Sequence, residues 1–126
     1  MSDAAPDPLE LLAVRNHRGG PWDWTRPMRE QEGWKEHAAF MNALVDEGLI
    51  LLGGPLEGDQ DTLLIFSAPS AEVVRDRLAQ DPWARSGMLT VTAIERWTIL
   101  LSPEALDALM LELTRPSGTA GSQPQP

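Results

Sequence analysis

The chain has 126 residues, no cysteine and a formal net charge of −9, with ten Lys and Arg against nineteen Asp and Glu. That length fits one domain, and 42% hydrophobic residues suffice for one core without disulfides or metals. The composition excludes disulfide scaffolds, cysteine-based zinc or iron–sulfur sites and cysteine nucleophiles, and the acidity disfavours nucleic acid and anionic membranes as partners.

Residues 1–8 read as a flexible lead-in that lacks the basic and apolar regions of a signal peptide. No apolar run approaches the roughly 20 residues that span a bilayer, so a soluble cytoplasmic protein is expected. Leu9–Asn16 is short and apolar, a strand candidate. Residues 17–27 form a loop marked by Gly19-Gly20-Pro21 and Pro27, and this loop carries Trp22 and Trp24. Residues 28–47 predict an amphipathic helix. At 100° per residue, Trp34, Met41, Leu44 and Val45 fall within an arc of roughly 100°, opposite Lys35, Asn42 and Asp46. His37 lies inside that apolar arc. Gly48 ends the helix, as a glycine just past the C-cap does.

Leu49–Leu52 predicts a strand, Gly53-Gly54-Pro55 a turn, and Glu57–Asp61 a polar hairpin connection. Thr62–Ala68 is the next strand. Ser70 is an N-cap for a helix whose inner side is Ala71, Val74 and Leu78. Asp81 is the next position on that stripe, and Pro82 disfavours the helical conformation there. Leu89–Leu101 predicts a long strand on which Val91, Ala93, Trp97 and Ile99 share a face. Ser102 and Pro103 open a last helix with Leu106, Leu109, Met110 and Leu113 as its apolar face. Residues 115–126 are too polar to pack and are expected to be disordered.

The order β-α-β-β-α-β predicts an α+β, ferredoxin-like arrangement: two helices on one face of a four-stranded antiparallel sheet, with an extra C-terminal helix. One domain is expected over residues 9–114. The strands are apolar on both sides, which a sheet with one wet face would not be. The second face is therefore expected to be buried, either against a second copy in a homodimer or in part under the last helix of a monomer.

The chain has two histidines. Side-by-side helices bring His37 towards Asp81. The carboxylate would then fix the imidazole tautomer and leave the second ring nitrogen for a substrate proton. A buried structural hydrogen bond for His37, and a cap on the Pro82 turn for Asp81, are the competing roles. Of the five tryptophans, Trp34 and Trp97 suit core packing. Trp22 and Trp24 either close a pocket or pack on a partner, and Trp83 offers a pocket wall. Glu95 is either a second acid or a partner of Arg15. Two histidines without a ligand spacing make no transition-metal site, and no phosphate-binding glycine motif or nucleophile elbow is present.

Glu32 to Met41 leading into Gly48-Leu49-Ile50, then Gly53-Gly54-Pro55-Leu56, Leu63-Leu64-Ile65, Asp81-Pro82-Trp83 and the Trp97 strand, resembles the YciI-like (YCII-related) family over roughly residues 9–101. The resemblance implies a dimeric α+β barrel with a His–Asp site in a cleft, carried here by His37 and Asp81. It also implies proton-moving chemistry without an organic cofactor. One member is a dehydrochlorinase, and muconolactone isomerases share the barrel type. The Trp22/Trp24 loop is longer than in compact members. The expectation is a lyase- or isomerase-type enzyme acting on a small cyclic or aromatic molecule. Its pocket is shaped by Trp22, Trp24, Trp83, Trp97 and Gly54, with no cofactor and no metal. The rivals are a non-catalytic ligand-binding or scaffolding dimer and a cofactor-free oxygenase.

Overall fold

The computed structural model describes residues 9–113. The lead-in and the tail expected to be disordered lie outside them. Strands β1 (Leu9–Arg18), β2 (Ile50–Pro55), β3 (Asp61–Phe66) and β4 (Leu89–Ile99) pair in one antiparallel sheet of order β2-β3-β1-β4. This is the ferredoxin-like order the element pattern predicts. Helices α1 (Trp34–Asp46) and α2 (Ala71–Leu78) follow the first and third strands, a short α3 (Pro82–Arg85) precedes β4, and α4 (Glu104–Leu113) ends the described chain.

Register decides which side chains make the core. Leu12 lies opposite Phe66 and Val14 opposite Leu64, so these four share a face. That face packs with Leu44 of α1 and with Val74 and Leu78 of α2. Ser70 caps α2 by accepting from the Val73 N–H at 3.2 Å, and Gly48 takes the left-handed conformation (φ 82°) that ends α1.

Four features depart from the sequence expectation. The helix expected over 28–47 starts at Trp34. Met28–Glu30 is a separate 3-10 turn, and Gly33, at φ 81°, separates the two. A left-handed residue cannot lie inside a right-handed helix. Second, Gly53-Gly54-Pro55 belongs to β2 and the turn comes later, at Gly58 and Asp59, both with positive φ. Gly53 is required for a different reason: a Cβ there would sit 2.6 Å from Leu64 Cδ2.

Third, β4 carries a bulge. Arg15 pairs with Ala93 but Asn16 pairs with Val91, leaving Thr92 unmatched, and its hydroxyl donates to the Arg15 carbonyl at 3.2 Å. A bulge adds one residue to one strand and resets its alternation. Val91 therefore faces the helices, packed on the core, while Ala93, Glu95 and Trp97 point to the other face. Fourth, Arg15 pairs with Asp61 at 2.7 Å, not with Glu95, because the register sets Glu95 opposite Ala13. His17, expected at a loop start, lies on β1 and bonds the same carboxylate at 2.8 Å. These bonds, His17 first and Arg15 next, hold Asp61 below its ordinary acidity range.

On the sheet face away from the helices Leu11 and Ile65 are buried, yet Leu52 and Trp97 are 63% and 46% exposed. Helix α4 has the predicted leucines but no buried residue.

Candidate active site

A second apolar cluster lies beside the main core. Trp22, Trp83, Met88 and Leu89 are buried, with Met28 and Trp34 packed on them. Asp81 leads into this cluster. It is the N-cap of α3, with Pro82 in the first turn. Its Oδ1 accepts the Trp83 N–H at 3.0 Å, which is the capping bond. The α2 stripe of Val74 and Leu78 continues inward through Asp81, which is 2% exposed.

His37, on the buried side of α1, meets it there. Nδ1 lies 2.9 Å from both Asp81 oxygens. Against a carboxylate that only accepts, Nδ1 is the donor, and in the corresponding neutral tautomer Nε2 carries the lone pair. None of the hydrogen bonds among the described residues engages Nε2. The ring stacks flat on Trp83, 3.9 Å between centroids and 9° between planes. Trp83 is fixed in turn: Nε1–H donates to the Glu32 carbonyl at 2.8 Å, and Trp22 meets it edge-on at 5.2 Å. Geometry of this kind over-determines a ring's orientation.

A cavity of about 510 Å³ opens between α1 and the sheet. His37 lines it and Asp81 does not, so the carboxylate stands behind the ring and Nε2 is the nitrogen left for a ligand. Trp34, Met41, Ile50, Leu64 and Trp83 give it apolar walls, and Gly54 lies on its margin. A cleft of this size with few polar groups is what small-molecule sites look like.

Of the other residues the sequence singled out, Trp22 is buried behind Trp83 and does not reach the cavity. Trp24 is exposed, 6.1 Å from Trp22. Trp97 stands on the opposite face of the sheet. The structure therefore brings His37, Asp81, Trp83 and Gly54 together and leaves the remaining three tryptophans outside.

It also adds two residues. Gln31, buried, donates to the carbonyls of Asp23 and Arg26 and accepts from the Asp23 N–H, pinning the tryptophan loop. Arg18 is buried in the cavity wall because β1 runs two residues further than expected. Its guanidinium lies 4.4 Å over the Trp22 ring and donates to the Asp59 carbonyl at 2.8 Å. Its Nε is buried without a partner among the described residues. Burial draws its pKa below the ordinary guanidinium value, with Asp59 opposing, and it stays charged. No group of three or more His, Asp or Glu among the described residues has metal-site geometry, and no described helix is long and apolar enough to cross a membrane.

The YCII-related domain model matches residues 12–98. No curated protein matches the chain. Among solved structures, 5-chloro-2-hydroxyhydroquinone dehydrochlorinase from Burkholderia phenoliruptrix AC1100, in complex with 2,5-dihydroxybenzoquinone, is similar: 25% identical, over 71% of this chain and 94% of that one, with a TM-score of 0.48.

Proposed function

We propose a function from one premise, that this chain belongs to the YCII-related domain family. It is a cofactor-independent enzyme of the lyase or isomerase type that moves a proton on a small cyclic or aromatic molecule, with His37 as the acid–base group. The observation that supports this is the setting of the imidazole: Nδ1 is committed to both oxygens of Asp81, and His37 is among the residues that line the cavity.

The steps follow from that geometry. Neutral Nε2 takes a proton from an acidic C–H or O–H of the ligand. The ring then holds a positive charge, which the Asp81 carboxylate and the face of Trp83 both favour. The negative charge left on the ligand faces the Arg18 guanidinium in the same wall, where low polarity strengthens the attraction. Return of the proton to another atom completes an isomerisation. Loss of a leaving group completes an elimination.

Asp81 also caps α3, so part of its role is structural. A purely structural pair would leave Nε2 idle, and the two readings separate on one measurement. Cyclic ketones, hydroxyquinones and unsaturated lactones are incubated with the protein in D2O and carbon-bound exchange is followed by NMR. Wild type is expected to catalyse exchange in part of the panel, and His37→Ala to slow it by about 10²–10⁴ while remaining folded. Equal exchange by the two proteins would remove His37 from the mechanism.

The exposed second face of the sheet is covered, in this reading, by a second copy of the chain. Leu52 and Trp97 supply the apolar surface, and a monomer rarely leaves such a face open.

A further inference from the structure

We propose that the cavity takes a small organic carboxylate, and that Arg29 on its rim is the residue that selects it. This rests on the enzyme reading above for the location of the site and adds the charge of the substrate.

The first observation is a segregation of charge. The chain has nineteen Asp and Glu, yet no Asp or Glu among the described residues lines the cavity. Its charged lining residues are Arg18 and Arg29, with the titratable His37 between the apolar walls. In a protein of net charge −9, a concave surface free of carboxylates and bearing two guanidiniums focuses positive potential inward.

The second observation is that neither guanidinium is well compensated: Arg18 has only a long ion pair to an exposed carboxylate, and Arg29 has none among the described residues. Arg18, buried, bonds a carbonyl and the Met28 sulfur and lies over Trp22, all neutral partners. The nearest carboxylate oxygen, on Asp59, is 4.0 Å away on a side chain 75% exposed. Its Nε is unpartnered. A buried cation whose one ion pair is long and runs to a solvent-exposed carboxylate is incompletely compensated, and an anion in the cavity adds to that compensation. Arg29 is exposed on the 3-10 turn, makes no ion pair among the described residues, and sits 5.7 Å over the Trp34 ring. Stacking on an indole restricts a guanidinium while leaving its N–H fork free.

The third observation is shape. Met28, Trp34, Met41 and Leu64 give the space an apolar body suited to a single ring. A planar fork at the rim of an apolar slot matches a carboxylate attached to that ring, which it binds through two parallel hydrogen bonds.

Benzoate and cyclohexanecarboxylate, each paired with its neutral amide, serve as probes. Wild type and Arg29→Gln are titrated with all four by calorimetry, with the His37 and Trp83 resonances followed by NMR. Each carboxylate is expected to bind about tenfold or more tightly than its amide, with the advantage shrinking as salt is added. In Arg29→Gln that advantage falls towards parity while amide binding is retained. Equal affinity for acid and amide in wild type, with the resonances shifting, overturns the carboxylate assignment and leaves the acid–base reading standing. An undiminished carboxylate preference in Arg29→Gln overturns the role of Arg29. If no probe binds or moves those resonances, the proposal and the location of the site fall together, whereas the exchange measurement tests His37 independently.

Discussion

At the residue scale the site turns on Asp81, whose carboxylate receives three contacts: the His37 Nδ1–H at both oxygens and the Trp83 N–H at one. Replacing it by Ala removes a helix cap, about 0.5–2 kcal/mol, and strands a buried imidazole donor, about 1–3 kcal/mol. Asp81→Ala is therefore expected to lose about 2–4 kcal/mol in denaturant unfolding. Asp81→Asn keeps a carbonyl acceptor for Trp83 and should recover roughly half of that. A stable Asp81→Ala protein would show that the cap and the dyad contribute nothing to folding. Each member of the pair carried a local signal, a histidine in an apolar arc and an aspartate continuing an apolar stripe, and the topology of side-by-side helices is what paired them. Arg18 carried no such signal. Its burial depends on two further strand residues and on a tryptophan folding under it, neither of which its neighbours in sequence specify.

At the scale of elements, the strands followed from apolar runs bounded by turn residues and the sheet from the element order, and the departures cluster where glycine has two uses. Gly-Gly-Pro is a turn signal, but Gly53 lies in a strand because Leu64 packs against its bare Cα. Gly53→Ala would place a methyl 2.6 Å from Leu64 Cδ2. The expected cost is roughly 1–3 kcal/mol of overpacking, read as a fall in melting temperature. An unchanged melting temperature would mean that Leu64 yields into the cavity beside it. Gly33 shows the other use. Its left-handed conformation breaks a pattern that reads as one helix from residue 28, and only the backbone reveals it. The break is what turns Met28 and Arg29 into the rim of the cavity.

At the scale of the molecule, the fold leaves Leu52 and Trp97 on one sheet face, and the leucines of α4, exposed. The two-sided apolar strands announced that second face in the sequence, and the sequence also offered the last helix as its cover. The structure gives α4 no buried residue, and the proposed second copy is tested by mass. Sedimentation of the wild type is expected to give twice the chain mass. Trp97→Glu, which sets a charge on that face at the edge strand β4, should give a single chain mass with the helical signal retained. A wild-type protein sedimenting as one chain would exclude the dimer.

The unmatched Thr92 has a consequence for how such a protein can change over time. The odd-numbered residues of β4 before it, Leu89 and Val91, look into the ligand cavity or the core, and the odd-numbered residues after it look outward. One strand thus serves two surfaces that answer to different selection. If the cavity binds and the outer face assembles as proposed, substitutions near Leu89 would retune the first and substitutions near Trp97 the second, with the single extra residue separating the two sets.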